Sequence, residues 1–342
     1  MRAALYYSNR DIRIEERPLP KIGDGEMLLR VMASGVCGSD VMEWYRIKRA
    51  PLVLGHEIAA EVVEVGRGVA RYRVGDRVSA SHHVPCNTCY YCRNGHHTAC
   101  DTLRTTNFDP GGFAEFLRLP AINVDRGVYA IPERLSWEEA TFTEPLACVV
   151  RGQRRGALKA GTSLCIIGCG IMGLLHIKLA RARGAGAIVA TDISPLRIAA
   201  AKRMGAHDAC DARQDLPARI RAVNDGRLAD LVVVCTGAAS AIIQSFACVE
   251  RGGCIMLFAP TEPGITIPVS VNELLWGNDV FITSSYAGAP PAHIEALELM
   301  ANGSVEVKDM ITHRLPLSQT AEAFRLVEKA DSSIKVIVEP QR

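Results

Sequence analysis

The sequence predicts an α/β protein of two domains, a mostly β domain joined to a doubly wound parallel sheet. Three observations carry this. The 342 residues are about twice an average domain length. The pattern changes near residue 160, from short strands and turns to strands alternating with helices. At the start of that second part, a glycine-rich turn separates an apolar strand from a helical stretch. Composition agrees: 48% hydrophobic and 22% charged residues suit a folded chain with a sizeable core and exclude extensive disorder. The net charge of +2 provides no whole-protein attraction for nucleic acid or anionic membrane, which leaves small-molecule partners as the expectation.

In order along the chain, residues 26–32, 58–65 and 77–80 alternate apolar and polar side chains between Gly and Pro, as half-buried strands do. The boundary is placed at 145–160 by the change of pattern. Strand SLCIIG is followed by a helix over 171–183, strand AIVATD by a helix over 195–204, and strand DLVVVCTG by a helix over 239–249 and strand GCIMLFAP. Two amphipathic helical stretches, 292–302 and 318–330, precede a last apolar strand at 334–338, which is expected to return to the first domain. The domains are thus 1–150, completed by 286–342, and 151–285. No run reaches the roughly 18 uncharged apolar residues of a membrane helix, and the charged N-terminal stretch lacks a signal-peptide core, so the protein is expected to be cytoplasmic.

Twelve cysteines in a reducing compartment are read first for metal. Cys86, Cys89, Cys92 and Cys100 form C-x2-C-x2-C-x7-C in one polar loop. Four thiolates suit a closed tetrahedral zinc with no position open to substrate, and hence a structural role. An iron–sulfur cluster or disulfides are the alternatives. The flanking His82, His83, His96 and His97 are taken as solvated loop residues. Cys148, Cys165, Cys169, Cys210, Cys235, Cys248 and Cys254 lie mostly in apolar segments and are read as core.

Gly168-Cys169-Gly170-Ile171-Met172-Gly173 is G-x-G-x-x-G in a strand–turn–helix setting. Its glycines allow a tight turn, close approach of a pyrophosphate and packing of the helix on the strand. Asp192, 19 residues beyond Gly173, ends the next strand, where a carboxylate accepts hydrogen bonds from ribose hydroxyls and repels a 2′-phosphate. NAD is therefore expected. Arg197 could instead hold a phosphate, pack on adenine or pair with Asp192, and Asp192 could be a helix cap ahead of Pro195. Cys37 and, 19 residues later, Gly55-His56-Glu57 offer a thiolate, an imidazole and a carboxylate for an open zinc site, although a buried free cysteine and a core histidine are the plainer readings.

Together, GVCGSD, LGHE, the four-cysteine lobe, EPLA at Glu144 and GCGIMG followed by Asp192 resemble the zinc-dependent medium-chain dehydrogenases, in particular the sorbitol and threonine dehydrogenase branch. The likeness extends over nearly the whole chain. It implies a GroES-like catalytic domain and a Rossmann domain, a homodimer or homotetramer, NAD, and two zinc ions per chain, one catalytic and one structural. The catalytic site implied comprises Cys37 and His56 as zinc ligands, Glu144 as a carboxylate that reaches the metal directly or through water, Glu57 as one that binds the metal in some states and stands behind its ligands in others, and Ser39 as acceptor of the substrate proton. Cys86, Cys89, Cys92 and Cys100 match the structural-zinc ligands; Gly168, Gly170, Met172 and Gly173 fall in the cofactor loop; Asp192 and Arg197 match the ribose pair.

Two positions depart from that pattern. Met42 stands where the family often has a proton-carrying histidine, and Ser285 precedes Tyr286 where the polyol branch has an arginine. Sorbitol itself is thereby placed in question. The implied reaction is oxidation of a secondary alcohol, polyol or cyclitol to its ketone, with an amino-alcohol such as L-threonine as the alternative substrate and a non-catalytic zinc- and nucleotide-binding protein as the alternative class. Asn107, Phe108, Phe113, Trp44 and Tyr286 are candidates for the pocket lining, with core packing equally open for the aromatics.

Overall fold

The computed structural model describes all 342 residues, which divide into two compact units, Met1–Ala147 with Ala287–Arg342, and Cys148–Tyr286. In the first unit, β1 (Arg2–Ser8), β2 (Asp11–Glu16), β3 (Met27–Gly35), β4 (Leu52–Val53), β5 (Glu57–Val65), β6 (Arg77–Ala80), β7 (Phe116–Leu119) and β8 (Val128–Ala130) precede the helix Thr143–Arg155. The second unit holds β9 (Leu164–Ile167), β10 (Ile188–Asp192), β11 (Asp208–Asp211), β12 (Ala229–Val234), β13 (Val249–Leu257) and β14 (Phe281–Ser284). The chain then adds β15 (Ile311–Pro316) and β16 (Lys335–Glu339) to the first unit.

The first unit is built on a seven-stranded sheet, β15-β16-β3-β5-β6-β8 with β7 on β3, and a three-stranded sheet, β2-β1-β4. Antiparallel pairing of β3 with β5 buries Met27, Leu29, Val31, Ile58, Ala60 and Val62 in one core, while Tyr6, Phe113 and Phe324 anchor a second. β16 pairs antiparallel with β3, Val338 opposite Ser34. That contact brings a residue numbered 335 beside residues in the thirties and fifties.

The second unit is a six-stranded parallel sheet in the order β11-β10-β9-β12-β13-β14. Its central strands, β9 (LCII) and β12 (ADLVVV), are nearly continuous apolar runs, as strands covered on both faces require. The order reverses between β9 and β12, and the glycine turn leaves the carboxyl end of β9 at that point, where ligands of such sheets bind. Cys165, Cys210 and Cys248 are packed in this unit's core among Ile167, Val189 and Val232.

One element expectation is corrected and the boundary region takes a definite form. The boundary region 145–160 is largely helical: helix Thr143–Arg155 occupies most of it, Pro145 sits harmlessly in the first turn, and the two units divide within it, between Ala147 and Cys148. The helix expected over 239–249 ends at Phe246, and Val249 already belongs to β13. Strand pairing overrides the apolar helical reading there. No helix is long and apolar enough to cross a membrane.

Candidate active site and metal centre

Cys37 lies just beyond the end of β3, and His56 and Glu57 at the start of β5, so the antiparallel pairing that sets Gly35 opposite Glu57 also joins their side chains. The Cys37 sulfur, a His56 ring nitrogen and a Glu57 carboxylate oxygen all lie within 4.8 Å of one another. Behind them is Asp40, fully buried, which the sequence reading did not single out. One oxygen accepts the Cys37 amide at 3.0 Å, and the other lies 3.3 Å from His56 Nδ1. A carboxylate on the far nitrogen of a metal-binding imidazole fixes the ring and its tautomer. The signal was present in GVCGSD itself, three residues from the cysteine.

The electrostatics of this group call for a cation. Burial alone pulls the His56 pKa down, but Asp40 and Cys37 override it and hold the ring well above its usual range. Burial likewise pushes Asp40 up, yet His56, Arg46 and the Cys37 amide keep it below its ordinary value. A soft sulfur, an imidazole and a carboxylate form a donor set that fits zinc, and Glu57 Oε1 is buried without a hydrogen-bond partner. The other Glu57 oxygen is paired with Lys335 Nζ, which also donates to the Val36 carbonyl at 3.3 Å. Both side chains are buried, and any side chain at Gly35 would collide with the pair. No local pattern could have announced Lys335, 278 residues from its partner. Glu144 is in the first turn of helix Thr143–Arg155 and is buried. It lies outside the tight three-residue group.

Ser39 Oγ donates to Cys37 Sγ at 3.4 Å and accepts from Arg46 Nη2 at 2.9 Å. The expectation that His82 and His83 are solvated is overturned. The His82 ring packs 4.8 Å from that of His56 and 3.8 Å from that of His83, whose Nδ1 is 3.0 Å from the Thr106 carbonyl. Burial, then the charges of neighbours, drives His82 well below the usual range and His83 down to about 4. The chain turns inward here because the Asn123 amide holds the Ser81 and His82 carbonyls. By contrast, His96 is exposed and His97 half-buried. Among the pocket candidates, Phe108 and Phe113 are core residues, Asn107 and Tyr286 are exposed, and Trp44 is half-buried. Ser285 Oγ accepts from Arg151 at 2.8 Å.

The second cysteine group brings the sulfurs of Cys86, Cys89, Cys92 and Cys100 within 4.8 Å of one another, and all twelve cysteines are free thiols. Backbone amides of Thr88 and Cys89 point at Cys86 Sγ, at 3.4 and 3.2 Å, and the Cys86 amide points at Cys100 Sγ at 3.3 Å. The Thr88 hydroxyl and these amides lower the Cys86 thiol to about 5, whereas burial raises Cys92 to about 12. Sulfurs turned inward and solvated by amides fit a closed tetrahedral ion.

In the parallel-sheet unit, Gly168 adopts φ +98°, a conformation L side chains rarely take, and a side chain at Gly173 would meet the Gly168 carbonyl. Gly170 caps helix Ile171–Ala182, with open space where its Cβ would stand, and Met172 lies half-buried in the first turn. Asp192 is no helix cap. Its carboxylate accepts the Cys169 amide at 2.7 Å and the Ser194 amide at 2.9 Å, which ties the strand end to the glycine turn. Arg197 Nε is buried without a partner. An open helix N-terminus beside a strand-end carboxylate fits a dinucleotide.

Residues 23–132 match the alcohol dehydrogenase GroES-like domain and residues 172–302 match zinc-binding dehydrogenase. The chain is 33% identical to a sorbitol dehydrogenase of Bacillus subtilis, with 100% of this chain and 98% of the relative covered. It belongs to the zinc-dependent medium-chain dehydrogenases. Its place is in their sorbitol and threonine dehydrogenase-like branch, since an L-threonine 3-dehydrogenase of Bacillus licheniformis is 32% identical over 94% of this chain and 93% of its own. A zinc-binding dehydrogenase from Sinorhizobium meliloti, solved with bound NADP, superposes with a TM-score of 0.87 at 26% identity over 99% of both chains. This medium-chain dehydrogenase thus combines a GroES-like unit and a Rossmann unit, and it is an oxidoreductase.

Proposed function

We propose that the protein is an NAD-dependent dehydrogenase that interconverts a secondary alcohol of the polyol or cyclitol type and its ketone. One observation carries the reading: the Cys37, His56 and Glu57 group, with Asp40 behind it and the Ser39 hydroxyl at its edge. Cys37 and His56 would hold a catalytic zinc, with Glu57 or Glu144 as the third protein ligand and one position left for substrate, and Cys86, Cys89, Cys92 and Cys100 would hold a structural one. When bound, zinc supplies a Lewis acid that lowers the pKa of a hydroxyl, and NAD takes up hydride. Asp40 orients His56. Lys335 holds one oxygen of Glu57 and leaves the other free to turn toward the cation. Ser39 Oγ accepts the substrate's hydroxyl proton, and the net reaction releases the ketone, NADH and one proton.

On the nucleotide side, Gly168, Gly170, Met172 and Gly173 cradle the pyrophosphate and Asp192 receives the adenosine ribose hydroxyls. Two carboxylate oxygens already fixed by amides present negative charge to a 2′-phosphate, which supports NAD over NADP. Arg197 stacks or pairs at the same ribose. The identity to an L-threonine dehydrogenase nearly equals that to a sorbitol dehydrogenase, so L-threonine is the second substrate to test. A homodimer or homotetramer is the proposed assembly, checked by light scattering.

The test is formation of NADH or NADPH by zinc-loaded protein on polyols, cyclitols, simple secondary alcohols and L-threonine. NAD-linked turnover of a polyol or cyclitol is the expected result. Silence on every alcohol, with zinc and nucleotide bound, would overturn the reading.

A further inference from the structure

We infer that Arg46 is a positioning residue for the proton transfer, acting through the Ser39 hydroxyl; the inference rests on the dehydrogenase reading above. Arg46 ends the short helix Glu43–Arg46, and its amide donates to the Met42 carbonyl at 3.1 Å. From there its guanidinium reaches back to one residue with two donors: Nε to the Ser39 carbonyl and Nη2 to Ser39 Oγ, both at 2.9 Å. The contact to Asp40 is longer, at 3.5 Å. A planar fork that grips the carbonyl and the hydroxyl of the same residue fixes both its backbone and its χ1.

The fork also decides what Ser39 can do. Nη2 occupies one lone pair of Oγ, and the hydroxyl hydrogen points to Cys37 Sγ at 3.4 Å. One lone pair is left, beside the metal-ligating sulfur, to accept a proton from a substrate hydroxyl. Arg46 cannot receive that proton, because a guanidinium has no acceptor and stays charged. Nor can the Met42 thioether carry it. The balanced step passes the alcohol's proton to the free lone pair of Ser39 Oγ as the Ser39 hydroxyl proton turns from Cys37 Sγ and leaves to a solvent water.

A merely structural role predicts something else. If Arg46 served to hold Asp40, its loss would loosen His56 and the metal. The two are separated by a double-mutant cycle of Arg46→Met and Ser39→Ala, read by kcat, KM and zinc content. Expected are a kcat loss of about ten- to a hundred-fold for Arg46→Met with KM within about two-fold. In the Ser39→Ala background the same change costs less than about two-fold, and zinc content equals that of the wild type throughout. Arg46→Lys recovers only part of the loss, since one ammonium cannot span both Ser39 oxygens; should Arg46→Met fail to fold, Arg46→Lys completes the cycle. Equal costs in both backgrounds, or zinc lost with Arg46, would overturn the inference and leave the dehydrogenase reading standing. A wild type silent on every alcohol overturns both.

Discussion

The two metal-fitting groups of this protein are built in opposite ways. The four-cysteine lobe takes all its donors from 15 consecutive residues, and backbone amides of the same loop solvate its sulfurs. The Cys37 group takes its donors from two strands at one end of their pairing, its orienting carboxylate from a turn, and its buried counter-charge from the last strand. A closed local site can fold around its ion by itself, so that binding energy becomes folding energy. An open site must be held ready by the rest of the fold, because one position has to remain free for substrate.

The largest effect this contrast predicts is chemical. Cys37→Ala should lower turnover by on the order of a thousand-fold, the equivalent of several kcal/mol of lost electrostatic stabilisation, while one zinc is lost and the melting temperature stays close to the wild type's. Cys100→Ser should do the reverse. It should also remove one zinc but cost several kcal/mol of stability, with turnover per folded molecule retained. Metal analysis, calorimetry and NADH formation on the two variants decide it. If both variants lose stability equally, the division into an open and a closed site is wrong.

A smaller effect sharpens the point about long-range support. Lys335→Met removes one member of a buried pair and strands the Glu57 carboxylate, which should destabilise by about 3–5 kcal/mol in urea unfolding. Adding Glu57→Gln to it should restore much of that loss, since a neutral amide costs less to bury alone than a charge. If Lys335→Met is as stable as the wild type, then Glu57 is not held from behind, and a different residue poises it.

This contrast also explains what could be read in the sequence. The cysteine lobe, the glycine turn with Asp192 and the parallel sheet were legible, because their signals lie in spacings of a few residues or in runs that one strand displays whole. Cys37 and His56 offered a weak metal reading by residue type, which the resemblance to a family raised to a site, since 19 residues of spacing carry no geometry. Asp40, Arg46 and Lys335 were not found. Each acts through a partner that the fold supplies: Asp40 through a ring brought from the next strand, Arg46 through a helix of one turn, Lys335 through the pairing of β16 with β3. His82 and His83 were misread for the same reason. Polar composition marks a loop, but not which side of it the protein covers.

The smallest effect separates the acid sensitivity of the metal groups from that of the surrounding interior. His293 is buried, its ring stacked 5.2 Å from that of Tyr129, with Nδ1 on the Ala289 carbonyl at 3.0 Å. Burial lowers its pKa to about 4. The unfolded chain therefore takes up this proton near pH 6.5, the folded protein only near 4. Its contribution is fully present above pH 6.5 and is lost as the pH falls toward 4, by at most roughly 3.5 kcal/mol at about 1.4 kcal/mol per unit. In chelator-treated protein, where metal release cannot contribute, His293→Phe keeps a ring against Tyr129 and should flatten that part of the stability profile. An unchanged slope in the variant would assign the acid loss elsewhere, first to His83, whose ring stacks with His82 beside His56 and whose proton affinity is lowered in the same direction.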